Sequence, residues 1–241
     1  MSTQNRDSGR AERAAAVRAE QARKERNRRI ALIAGIVVIL GAIVAAGAWY
    51  TGGSGNAPVA DSKVSAAAGA GSVVVGPSSA PTKVVVYEDF QCPYCRQLED
   101  ATRDFLRENA AAGKVQVTYH PIDLLKSVYG ERGMNAFAAV LAHSTPEAAL
   151  KLHDLLYENQ PYETASDRVT PDQILGFVQK AGGGNADVAA ALGTTDTAFF
   201  QAAADVMVQK KITSTPTVLI NGKAVSGGVA DIVKAIEQAV G

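Results

Sequence analysis

Cysteine is nearly absent from this sequence: 241 residues contain two, Cys92 and Cys95, in the run Cys92-Pro93-Tyr94-Cys95. That excludes a domain stapled by several disulfides, and a bridge across so short a loop removes little entropy from the unfolded chain. The pair therefore points to chemistry. Histidine is scarce as well. His120, His143 and His153 are the whole supply and none is spaced His-x3-5-His, so a zinc half-site begun by Cys-x-x-Cys lacks two further ligands. No metal and no bound cofactor are expected. An excess of charge of one sign is also missing, with 24 basic and 24 acidic side chains.

That balance hides an asymmetry. Residues 1–29 carry nine Arg or Lys against four acids, and no aromatic residue is interleaved with the basic ones. The lack of aromatics argues against nucleic acid as a partner. The arm instead abuts Ile30 to Tyr50, 21 positions without a charge. As a helix this run measures about 31 Å, the thickness of a hydrocarbon core. The cluster from Arg23 to Arg29 just before it sets the N-terminus in the cytoplasm and sends the remainder out, with residues 30–50 in contact with lipid. A cleaved secretory signal, with Ala46-Gly47-Ala48 as the cleavage site, exports the remainder equally; the long basic start and long apolar run favour retention as an anchor. Residues 51–72 are mostly Gly, Ser, Ala and Pro and read as a flexible tether.

From Val73 to Gly241 short apolar runs alternate with helical patterns, the mark of an α/β domain. Strands are expected at 73–75, 83–88, 115–120 and 217–220, and at 223–225 after an Asn221-Gly222 turn. Helices are expected at 95–109, 128–143, 146–158, 171–181, 195–210 and 229–240, several announced by a capping Thr ahead of a first-turn Pro. The stretch from about 126 to 210 is thus a helical insertion between strands.

The cysteines fall where the strand Val84-Val85-Val86-Tyr87-Glu88 hands over to a helix. Cys92 takes the cap and Pro93 the first helical position, so free N–H groups and the helix dipole favour an anion on the Cys92 sulfur. A thiolate is the reactive form. Cys92 is read as the nucleophile, and Cys95, one turn on, as the resolving thiol.

The runs VVVYEDFQCPYC and TSTPTVLINGK, in this order around the helices, resemble the DsbA-like branch of the thioredoxin superfamily in its membrane-anchored actinobacterial form. The resemblance spans about Val73 to Gly241 and implies a thioredoxin-like α/β fold with an inserted helical subdomain, preceded here by one transmembrane helix. It implies a cis-proline at Pro216 facing the cysteines, with the backbone of Thr215 presented to substrate. The implied activity is an extracytoplasmic thiol:disulfide oxidoreductase that forms disulfides in exported cysteine-containing proteins, needs no cofactor, and exchanges electrons with a membrane partner, either a quinone-linked oxidase or a transmembrane reductant. A reductase or isomerase of the same fold and a tethered peptide-binding chaperone module are the alternatives. Two departures matter. Tyr94 stands where strongly oxidising relatives have histidine, which implies a higher Cys92 pKa and a less oxidising couple. Val86 stands six residues before Cys92, where the superfamily often buries a proton-relaying acid; Glu88 is the nearest substitute, and the alternative for it is a strand-end acid in water.

Overall fold

The computed structural model describes residues 66–241. The basic arm, the span at 30–50 and residues 51–65 of the tether lie outside the described residues. Among the described residues no helix is long and apolar enough to cross a membrane.

Short runs rich in Val build most of the described strands, and among them buried and half-buried positions alternate along the whole length only in the strand at 115–121. Six strands form one sheet: β1 (Ala66–Gly69), β2 (Ser72–Val75), β3 (Thr82–Glu88), β4 (Val115–Pro121), β5 (Thr217–Ile220) and β6 (Lys223–Ala224), in the order β1-β2-β4-β3-β5-β6. β3 is central. It runs parallel to β4, with Val84 opposite Val117, and antiparallel to β5, with Val86 opposite Val218. Its last three residues, Val86, Tyr87 and Glu88, are all buried rather than alternating. The C-terminal end of this strand is therefore covered on both faces, and that is where the cysteines begin.

A parallel pair needs a crossover, supplied here by α1 (Pro93–Ala111), which packs on β4 and on the last helix, α7 (Val229–Val240). Between β4 and β5 lie five helices: α2 (Val128–His143), α3 (Pro146–Glu158), α4 (Pro171–Ala181), α5 (Ala186–Leu192) and α6 (Thr197–Lys210). α3 links the two layers, since it packs on α2 and α4 and also touches α1, β1 and β2. The caps are those the sequence announces: Thr145 accepts the Ala148 N–H, and Thr170 forms a capping box with Gln173.

Three expectations need correction. The expected tether of 51–72 ends early, because Gly71 adopts a positive φ of 72° and folds the chain back, so that Ala66–Gly69 pairs with Ser72–Val75. Small side chains carry no hydrophobic pattern, and this strand is held by its backbone pairing together with the packing of Ala66 on the core. Helix α6 starts at Thr197, not Thr195, because Asp196 is the residue that caps Phe199. Helix α5 was not expected; it is capped by Asn185, whose side chain accepts the Val188 N–H, and flanking glycines mask its short pattern.

Candidate active site

Cys92 is the N-cap of α1, extended at φ −71° and ψ 119°, with Pro93 in the first turn. Its carbonyl accepts the N–H groups of Cys95 and Arg96 at 3.1 and 3.2 Å, which starts the helix on the cysteine itself. Both cysteines are free and buried. Across from them the Thr215–Pro216 peptide is cis, and the Cys92 thiol donates to the Thr215 carbonyl at 3.3 Å. The two distant motifs of the sequence thus meet at one sulfur.

The two sulfurs differ in charge preference. A hydrogen bond from the Cys95 thiol is the largest influence on Cys92. Burial opposes it, but the Thr215 side chain and the N–H groups of Cys95 and Tyr94 add to it, and Cys92 is held down to about 6. Cys95 is pushed up, first by burial and then by its Cys92 partner and the charge of Glu88. At neutral pH the couple is one thiolate and one thiol. Tyr94 projects outward, 59% exposed, and its phenol brings no positive charge to the Cys92 sulfur.

Glu88 is not a strand-end acid in water. It is 1% exposed, and its Oε1 lies 2.7 Å from Nε2 of His153, which is wholly buried on α3. Behind His153, Nδ1 faces Asp154 at 3.4 Å and Glu99 at 3.8 Å. Two guanidinium groups close the cluster, Arg103 on Glu99 at 2.9 Å and Arg107 on Asp154 at 2.5 Å. Donor atoms of Glu99, His153 and Asp154 lie within 4.8 Å of one another, a metal-like grouping. The arginines already occupy both carboxylates, so the cluster is neutralised by cations of the chain itself.

Two positioning residues escaped the sequence reading. Asp89 is fully buried; its carboxylate accepts the backbone N–H groups of Gln91, Leu124 and Leu125 at 2.8, 3.0 and 2.9 Å, and its carbonyl accepts the Cys92 N–H at 2.9 Å. Burial raises its pKa and these N–H groups act against that rise. A Cβ at Gly130 would lie 3.2 Å from this carboxylate, so α2 approaches it only through glycine. Gln160, after α3, donates to the carbonyls of Phe90 and Cys92 at 2.8 and 3.0 Å, while Gln91 donates back to Pro161 at 2.9 Å. Their signal in the sequence was slight: an Asp two residues before Gln91, which forms an Asx turn, and an amide after a helix end.

A cavity of about 900 Å³ lies between α2, α4, α5 and α6, and neither cysteine lines it.

A thioredoxin family model matches residues 69–238. The chain belongs to the thioredoxin family. Its fold is shared with reduced DsbA from Mycobacterium tuberculosis (23% identity, TM-score 0.59, 71% of this chain and 93% of that one). The Mycobacterium tuberculosis disulfide bond oxidoreductase DsbG in reduced form is similar (25% identity, TM-score 0.59, 72% and 90%), as is the thiol-disulfide oxidoreductase MdbA of Corynebacterium diphtheriae (19%, 0.59, 72% and 92%). Among curated sequences, the Na(+)/H(+) antiporter NhaA 3 of Salinispora tropica is 34% identical over 107 residues, which cover 44% of this chain. The match spans 15% of the antiporter's length. The resemblance to the DsbA-like branch is borne out, and this thioredoxin-family chain is a thiol–disulfide oxidoreductase by family, fold and the Cys92-x-x-Cys95 pair.

Proposed function

We propose that this protein forms disulfides in exported cysteine-containing proteins, from a domain held outside the cytoplasmic membrane by residues 30–50. The observation that carries the chemistry is the split between the two sulfurs: Cys92 held near 6 at a helix cap and Cys95 buried and pushed up. A Cys92 thiolate that is stable when reduced is a good leaving group when the substrate's second thiolate attacks the mixed disulfide. In both half-cycles Cys92 carries the mixed disulfide; the substrate's second thiol resolves it during substrate oxidation and releases Cys92 as a thiolate, whereas Cys95 resolves it during reoxidation by the partner. Thr215, beside cis-Pro216 and bonded to Cys92, offers its backbone to the substrate strand. Glu88 takes up and returns the Cys95 proton, in place of the acid missing at Val86. Reoxidation falls to a quinone-linked membrane protein; electrons arriving from a transmembrane reductant define the reductase alternative.

Redox titration of Cys92 with Cys95 separates these directions. A potential near that of protein disulfide isomerase, about −180 mV, or higher supports disulfide formation; one near thioredoxin's, about −270 mV, sinks it in favour of reduction. Topology has its own test: a reporter fused after Gly241 that works only in the cytoplasm refutes the export reading.

A further inference from the structure

The charge cluster beneath Cys95 is one cation short without its histidine. Three carboxylates, Glu88, Glu99 and Asp154, converge on His153, and the guanidinium groups of Arg103 and Arg107 neutralise two of them. A fourth acid, Glu158, receives Arg103 at 2.6 Å but is half-exposed and solvated. Among the described residues nothing else cationic faces the cluster, and water is excluded from His153, 0% exposed. An uncompensated buried carboxylate is strongly disfavoured; burial raises Glu99, a charge on the His153 ring acts against that rise, and the ring, 2.7 Å from Glu88, is the group placed to supply the missing cation. The rings of Tyr119, tilted at 4.6 Å, and Tyr157, edge to face at 5.1 Å between centroids, pack around the imidazole. The tyrosine hydroxyls are held protonated, first by burial and then by the surrounding acids, and add no charge.

We propose that His153 is a permanently charged positioning residue that keeps Glu88 ionised beneath Cys95, and so keeps Glu88 ready to accept the Cys95 proton when the mixed disulfide is resolved. This rests on the reading of Glu88 as the proton acceptor. In that step the S–H bond of Cys95 breaks and its proton passes to a Glu88 oxygen. The Cys95 sulfur bonds to the Cys92 sulfur, and the bond from Cys92 to the partner's sulfur breaks with its electron pair leaving on that sulfur as a thiolate. Cys95 is oxidised and the partner's sulfur reduced, with no other reactant. Glu88 acts on the reacting thiol through its charge, and the N–H of the next residue, Asp89, bonds the Cys95 sulfur. His153 touches neither sulfur. The direction of its own titration agrees: burial works against the charge, but Glu88 and Glu99 outweigh it and hold the ring up to about 10.

Reduced full-length protein is mixed with oxidised glutathione, and the Cys92–glutathione adduct is trapped by acid and counted by mass at a series of pH values. The wild-type resolution rate is expected to be nearly flat from pH 6 to 8. In His153→Gln, Glu88 loses the counter-charge it faces at 2.7 Å, so resolution is expected to slow roughly tenfold or more and to climb back to the wild-type plateau as pH rises. His153→Lys, which restores a cation, returns the profile toward flat. Glu88→Gln slows resolution without regaining the plateau. If Glu88→Gln resolves like wild type, the reading of Glu88 fails; if it is slow while His153→Gln superimposes on wild type, the role of His153 alone is overturned. Should His153→Gln not fold, nitrogen NMR of His153 in the wild-type protein decides. Both ring nitrogens protonated at pH 8 is expected, and a neutral ring at pH 7 overturns the proposal.

Discussion

Cys92 and Cys95 lie one helical turn apart in regions of opposite construction. Around Cys92 the chemistry is made from hydrogen-bond donors at a helix cap: the Cys95 thiol first, then the Thr215 side chain and the N–H groups of the first turn. Around Cys95 it is made from buried side-chain charge: Glu88, His153, Glu99, Asp154 and two arginines. The first region lowers one thiol while leaving it beside the surface where a partner arrives. The second keeps the other thiol protonated until it is needed. A dithiol built from two equal environments would have no preferred nucleophile and no preferred leaving group.

The harshest test removes one side of the comparison outright. Cys92→Ser is expected to reduce thiol–disulfide exchange to background in an insulin-reduction or peptide-oxidation assay. Cys95→Ser is expected to keep attacking substrates and to accumulate mixed disulfides visible on non-reducing gels. Equal, near wild-type activity in both variants would leave the chaperone reading in possession of the site.

Asp89 holds the two regions in register, since it anchors the loop that delivers Cys92 to the segment after β4. Asp89→Ala strands three backbone N–H groups in the interior. At about 1–3 kcal/mol for each unsatisfied buried donor, a loss of about 3 kcal/mol or more is expected in denaturant unfolding of the oxidised protein. A loss below about 1 kcal/mol would mean that water replaces the carboxylate and that the register is set elsewhere.

The regions were not equally legible. Cap, first-turn proline and strand-to-helix handover are local patterns, so Cys92, Cys95 and Pro93 were readable from about ten consecutive residues. Thr215 and Pro216 lie more than 120 positions away; no local rule connects them to Cys92, and the family resemblance made that link. His153 was passed over as a lone histidine because its partners come from β3, α1 and its own helix, a convergence that only the tertiary fold creates. Glu88 was readable only as one of two alternatives for a related reason: strand ends usually meet water, but here His153 of α3 covers this one. Edge strand β1 was lost because Ala and Gly leave no pattern to read.

The buried side predicts a pH dependence of stability. His153 is raised in the folded protein, to about 10, above the ordinary histidine value of about 6.5. Its charge therefore contributes stability that is complete below about pH 6.5 and is lost as pH rises through about 10. Oxidised protein, with both thiols tied up, should unfold progressively more easily between those limits, and His153→Gln should flatten that slope. The Cys92 side has the opposite sign in reduced protein: a thiol lowered to about 6 stabilises the fold above its ordinary value of about 8.5, and that gain fades as pH falls through about 6. Stability curves of the oxidised and reduced forms should therefore diverge as pH rises above 6. Curves of identical shape would remove the distinction between the two regions.

Since a bond from the Cys95 thiol is the largest influence on Cys92, Cys95→Ala should raise the Cys92 titration from about 6 toward the ordinary range, as followed by the pH dependence of its alkylation. Tyr94→His should act in the other direction and more weakly. The side chain at 94 is largely exposed, so an imidazolium there is screened by water. An exposed pair of opposite charges is worth up to about 1 kcal/mol, and half of that range corresponds to roughly 0.4 of a pKa unit. Stabilising the thiolate stabilises the reduced form, so the potential should become less negative by about 10 mV, given 30 mV per 1.4 kcal/mol for two electrons. A shift several times larger would mean that the imidazolium folds inward over Cys92 and that the outward pose of Tyr94 belongs to tyrosine alone. No shift would mean that the helix cap and the Cys95 bond already saturate the stabilisation available to the thiolate, leaving the identity of residue 94 to act on partners rather than on the couple.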